Sequence, residues 1–230
     1  MPLRGIINTA RSLSFYTKLQ EVTANNVANA NTDGFKADRL AGHQIPGTEH
    51  AVPVQKIDLE PGRLRDTGRP LDIALDGVGF LVVQTDGGER WTRGGSLRLD
   101  GAGRLTDAHG NSILGVGGPV VLSGSKIEVK SDGSILVDDA LAGTLRVETT
   151  ENSTAVKKEG AGRFIPDASR RALETETVNL RQGAVEEPNV DPLLSMVDLI
   201  TIQRAYQSSM DALRALDGAL ATVTNEIGRV

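Results

Sequence analysis

The stretch "TANNVANANTDGF", Thr23 to Phe35, holds four asparagines: Asn25, Asn26, Asn29 and Asn31. Asparagine is a poor helix former, because its amide competes for nearby backbone groups. Yet the residues before it read as a long amphipathic helix. Leu3, Ile6, Ala10, Leu13, Thr17, Gln20, Ala24 and Val27 follow the alternating three- and four-residue spacing of a heptad seam. Phe15, Leu19 and Val22 form a second row off that seam, so the helix is expected to touch more than one neighbour. Gly34, beside Asp33, is the expected left-handed stop.

The other end of the chain mirrors this one. Asp191 suits an N-cap and Pro192 the first helical position. From there Leu199, Ile202, Tyr206, Ser209, Leu213, Leu216, Leu220, Val223 and Ile227 keep the 3,4 spacing through nine positions. A helix from Pro192 to Ile227 would be roughly 54 Å long. Met196, Val197, Ile200 and Met210 lie off its seam. Matching seams at both termini imply that the two ends pair, and the extra apolar rows imply further partners.

Between the helices the period changes. "LDIAL", "GFLVVQT", "RWTR", "SLRL", "IEVK", "SILV" and "GTLRVET" are short and rich in Val, Ile, Leu and Thr. Asp86-Gly87-Gly88, Asp100-Gly101 and Asp132-Gly133 separate them as turn signals. The fold class expected is α+β: terminal helices (residues 1–35 and 181–230) pairing as a discontinuous coiled-coil domain, with an antiparallel all-β domain (71–180) inserted. Residues 36–70, with little pattern and several Pro and Gly, read as an extended connector.

Composition narrows the function. The chain has 230 residues, a formal charge of −5 and no basic block, so nucleic acid is not an expected partner. There is no cysteine, and no apolar run approaches the ~20 residues that span a bilayer. The N-terminus lacks the continuous apolar core and cleavage site of a signal peptide. His43 and His50 sit in the connector and His109 in a turn, without metal-ligand spacing. "GVGGP" (115–119) and "GVGF" (77–80) lack what a phosphate cradle or a dinucleotide fingerprint needs and read as turns. Carboxylate pairs such as Glu186-Glu187 read as solvated loop surface. No catalytic site, metal site or cofactor is expected.

Three motifs then stand out in order along the chain. "NNVANANTDGFKADR", "TGRPLDIALDGVGFLVVQTDGGERWTRGGSLRLDGAGRLTDAHGNSILG" and "GAVEEPNVDPLLSMVDLITIQRAYQ" resemble the N-terminal, core and C-terminal signatures of the flagellar axial proteins, the rod, hook and hook-associated subunits. Val27 stands for the commoner Leu, and Asp191 for the usual Asn, which caps a helix as well. The short connector and single β-domain look more like a proximal rod subunit than a distal rod or hook subunit. The resemblance implies a non-enzymatic subunit of the bacterial flagellar basal body. It would leave the cell through the flagellar type III export apparatus and stack in the periplasm with itself and with other rod and hook subunits, as a drive shaft. It implies no membrane insertion.

That gives the asparagines a role. Asn25 and Asn29 lie one helical turn apart, with Asn26 three residues before Asn29. Amides buried between packed helices bond only a partner at the matching height, which lowers stability and fixes register. Asn31 and Asp33 are expected to shape the turn, Gly34 to free it and Phe35 to anchor it. The subunit-interface residues expected are Leu3, Ile6, Leu13, Asn25, Asn26, Asn29, Gly34, Phe35, Asn189, Pro192, Leu199, Ile202, Tyr206, Leu213, Leu216, Leu220 and Val223. A competing class is a secreted β-module that binds a glycan or peptide on a helical trimerisation stalk. Its weakness is that a stalk uses one terminus, whereas here both ends match.

Overall fold

The computed structural model describes residues 2–44 and 51–227. It contains two long helices, α1 (Pro2–Ala28) and α2 (Pro192–Ile227), and between them in sequence a β-rich stretch whose main sheet is built from antiparallel strand pairs. The chain divides into two compact units. The first comprises residues 1–28, 38–56 and 190–230; the second comprises 29–37 and 57–189.

In the first unit α1 and α2 are in contact, and a Cβ on Gly5 would meet the Leu216 side chain at 3.4 Å. The start of α2 follows from its sequence. Asp191 Oδ1 accepts the backbone N–H of Leu193 at 2.9 Å and of Leu194 at 3.0 Å, which satisfies two of the donors a helix start leaves open. Helical hydroxyls, among them those of Thr9, Thr23, Thr201 and Ser209, donate to the carbonyl four residues back and so need no outside partner.

The covered line on α1 departs from the heptad seam. Ile6, Leu13 and Val27 are half-buried, but Ala10, Thr17, Gln20 and Ala24 are exposed. Thr9, Tyr16, Leu19, Val22, Thr23 and Asn26 take their place. A straight helix repeats every 3.6 residues and drifts off a 3.5-residue seam. Towards its C-terminal end α1 also meets the strand Asp38–Gln44, and Val22 there is only 4% exposed. Residues 36–70 are more than a connector: Asp38–Gln44 pairs with Ala51–Ile57, and Leu64–Asp66 pairs with Ala184–Glu186.

The second unit is built on a ten-stranded sheet. Its middle strand, Phe80–Thr85, pairs with Gly88–Thr92 on one side and with Ser112–Gly115 on the other. The "FLVV" run is buried on both faces, so it does not alternate. One face meets a core of Ile73, Leu81, Val83, Leu105, Ile113, Ile135 and Val147. The other meets Trp91, Leu114 and Phe164, with Phe80 stacked on Trp91 at 5.0 Å between ring centroids. The glycine-rich stretches at 77–80 and 115–119 are strand ends and turns, and Gly77, Gly79 and Gly118 have positive φ.

Candidate functional site

Three segments far apart in sequence meet inside the second unit, at residues 34–37, 93–95 and 186–189. Just past the end of α1, Gly34 adopts φ +71°. A Cβ there would lie 2.3 Å from the Arg93 carbonyl carbon and 2.5 Å from the Gly94 nitrogen, so only glycine fits. The Gly34 N–H donates to the Glu186 carbonyl at 2.7 Å, holding the turn against the strand Ala184–Glu186.

The Glu186 carboxylate is the centre of this junction. Its Oε1 accepts Lys36 Nζ at 2.5 Å and the Gly62 N–H at 2.8 Å, and its Oε2 accepts Arg93 Nη1 at 3.0 Å. Lys36 Nζ also donates to the Glu60 carbonyl at 2.7 Å, and Arg93 Nη2 donates to the Gly77 carbonyl at 2.6 Å. All three side chains are 3% exposed or less. Burial pulls the Lys36 ammonium below its usual range, and Glu186 partly offsets that; burial does the same to Arg93. The pairing is needed because unpaired charges at this depth cost several kcal/mol each.

Neighbours close the site. Lys158 Nζ sits 4.1 Å over the Phe35 ring and donates to the Lys36 carbonyl. The Asn189 side chain accepts the Ala37 N–H at 2.6 Å and donates to the carbonyls of Asp58 (3.0 Å) and Glu60 (3.1 Å). Arg93 lies 5.4 Å from the Phe80 ring centroid, and its Nε has no hydrogen-bond partner. This is structural chemistry: every polar group but that one is tied to backbone or to its counter-charge. An open cleft of ≈ 390 Å³ beside Leu71, Ser96 and Arg98 holds Asp72, but Thr67 and Arg69 already occupy that carboxylate. Among the described residues no cluster of His, Asp and Glu could hold a metal ion, and no helix is long and apolar enough to cross a membrane.

The junction gathers Gly34, Phe35 and Asn189 from the residues expected at an interface. It also corrects one reading: Glu186 is buried, because strand pairing turns it inward onto Lys36 and Arg93. Sequence reasoning missed Lys36, Arg93 and Glu186 as a set, although each lies within one of the three quoted motifs. The remaining expected residues fall on the helices. Ile6 and Leu13 on α1, and Leu199, Tyr206, Leu213, Leu216 and Leu220 on α2, are half-buried, while Ile202 is buried and Pro192 exposed. The side chains of Leu3, Val223, His43 and His50 lie outside the described residues.

The asparagines separate. The Asn26 amide donates to the Asp38 carbonyl at 2.8 Å and accepts the Asp38 N–H at 2.9 Å, pairing α1 with the next strand as a backbone would. Asn29 accepts the Thr32 hydroxyl, and Asn25 is exposed.

Helices at both ends of the chain flank an antiparallel stretch in sequence, and the three quoted motifs converge on one buried ionic junction. Family models match in the same order: "Flagella basal body rod protein" over residues 18–36, "Flagellar hook protein FlgE/F/G D1 domain" over 74–161, and "Flagellar basal body rod FlgEFG protein C-terminal" over 181–226. The chain is 32% identical over 222 residues to the flagellar basal-body rod protein FlgF of Escherichia coli K12, covering 86% of this chain and 88% of that protein. It is 28% identical to FlgF of Caulobacter vibrioides over 88% of both chains. It is also 28% identical to FlgG of Bacillus subtilis, over 92% of this chain and 94% of the relative. The chain belongs to the flagellar basal-body rod protein family.

Proposed function

We propose that this protein is a structural subunit of the bacterial flagellar rod, of the proximal type, that stacks with itself and with other axial subunits to carry torque. It has no enzymatic role. The flagellar type III apparatus exports it, and it assembles in the periplasm without entering the membrane. The paired terminal helices form a discontinuous coiled-coil domain, into whose sequence the β-rich unit is inserted. The observation that carries this reading is the convergence of the three family motifs on the Lys36–Glu186–Arg93 junction. A shaft needs its subunits to hold one geometry under load, and a buried ionic junction with many fixed partners favours a single arrangement.

The test is complementation of a strain lacking the gene, followed by purification of hook–basal bodies. The expected result is restored motility with the chain present in the rod. Motile cells whose basal bodies lack the chain would overturn the reading. A Leu213→Asp variant, which sets a charge in the packed helix layer, should be exported but not incorporated.

A further inference from the structure

Two features of the second unit lie at opposite ends of the short strand Ile73–Leu75. Before the strand, residues 69–72 and 96–98 line the open cleft of ≈ 390 Å³. Pro70, Leu71 and Leu97 give it an apolar lining, and Arg69 and Arg98 stand at it with exposed side chains. Arg69 is held by Asp72 and Ser96, whereas the Arg98 guanidinium makes no ion pair among the described residues.

Beyond the other end of the strand the chain makes a narrow tip, Asp76-Gly77-Val78-Gly79. Gly77 and Gly79 have φ +129° and +116°, and Val78 between them is 71% exposed. Residues 173–179 run beside this tip. The Asp76 N–H donates to the Asn179 carbonyl at 2.8 Å, and a Cβ on Gly79 would lie 2.8 Å from the Leu173 side chain. Glu174 and Glu176 on that segment are exposed and make no ion pair among the described residues. One exposed valine needs no explanation by itself. A bare valine beside two free carboxylates, on a unit whose opposite end has an apolar cleft with a free guanidinium, matches that cleft in shape and charge.

We propose that the Val78 tip of one copy of this chain docks into the Arg98 cleft of the next, with the Glu174–Glu176 segment against Arg98. The flanking glycines carry no side chains, so at the tip only the valine needs room in the cleft. A charge-assisted pair at the rim then fixes how the two copies are set. Tip and cleft are separated by a strand of three paired residues, about 10 Å, so one copy cannot fill its own cleft. Each copy offers a tip and accepts another, so the contact is head-to-tail and propagates instead of closing into a dimer. It involves the β-rich unit alone. The proposal rests on the rod reading above and names a contact of that assembly.

The native chain has no cysteine, which makes the test clean. Two differently tagged copies, Val78→Cys and Pro70→Cys, both at exposed positions, are expressed together in the null strain, and hook–basal bodies are purified and oxidised. The expected product is a disulfide-linked dimer carrying both tags. Val116→Cys, at a different turn and 74% exposed, should not replace Val78→Cys in it. Arg98→Glu on the Pro70→Cys copy should abolish most of the product, and Glu174→Arg with Glu176→Arg on the Val78→Cys copy should restore it. Basal bodies that contain both copies but give no mixed dimer, that link either copy to a different protein, or that link Val116→Cys equally well would overturn the proposal. A second readout needs no cysteine: a Val78→Asp chain should unfold thermally like the wild type yet be depleted from basal bodies when the two compete. Equal incorporation would overturn the proposal. Absence of the tagged wild-type chain from basal bodies would instead overturn the rod reading.

Discussion

Lys36 and Glu186 stand 150 residues apart in sequence, yet their side chains form an ion pair at 2.5 Å with each 1% exposed. The pair is useful only as part of the set with Arg93. Glu186→Leu would leave two buried cations without their carboxylate and should cost about 3–5 kcal/mol. Replacing all three, with Lys36→Met and Arg93→Met added, removes the charges together and should recover most of that loss. Urea unfolding followed by the fluorescence of Trp91, the single tryptophan, would read both variants. A triple variant no more stable than the single one would mean that stranded cations are not what destabilises Glu186→Leu.

Gly34 and Gly68 share nearly the same backbone, φ +71° and +70°, but not the same surroundings. A Cβ on Gly68 meets nothing within 4 Å, whereas on Gly34 it strikes the Arg93 backbone. Gly68→Ala should therefore cost only the ~1–2 kcal/mol of a left-handed conformation. Gly34→Ala should cost clearly more, because backbone cannot step aside. Equal losses in thermal unfolding would remove the close-approach argument.

Acid should weaken the second unit through Glu89. Arg146 and then Arg170 hold its carboxyl below the usual value of 4.5, with ion-pair distances of 2.7 Å to each. Its pKa is lower folded than unfolded, so the native state binds fewer protons in that range. The stabilisation is complete above about 4.5 and is lost as pH falls through the folded value. Glu89→Gln should lose about 1 kcal/mol or less at neutral pH, since the pair is partly solvated, and its stability should vary less between about pH 5 and about pH 3. Parallel pH profiles for the two proteins would contradict this.

Asn26→Ala strips the buried Asp38 backbone of two hydrogen bonds and should cost ~1–3 kcal/mol locally. Amide exchange at Asp38 should quicken, while α1, given a better helix former, should gain helicity. Unchanged exchange at Asp38 would show that the strand is held by other means.

Much of this was legible in the sequence. The start of α2 with its Asp191 cap and the positive φ of Gly34 follow from local chemistry, and local chemistry is what a sequence displays; α1 itself stops at Ala28, six residues before the glycine expected to end it. The alternation of short strands and Asp-Gly turns likewise announced an antiparallel centre. The covered face of α1 was less clear, since a 3.5- and a 3.6-residue period diverge over 27 residues and a strand covers its last turns. The ionic junction was hidden, because isolated Lys, Arg and Glu residues look alike whether solvated or paired. Only the pairing of Ala184–Glu186 with Leu64–Asp66 turns Glu186 inward, and that pairing spans more than a hundred residues.

The junction also sets an order of events. A chain emerging with its N-terminus first presents Lys36 and Arg93 long before Glu186, so two cations wait for their shared anion. Contacts of such sequence separation form slowly and close late. Any chain that stops short of Glu186 leaves the clasp open, however well its early strands have paired. Completion of this unit is thus a report that the chain has arrived as far as Glu186.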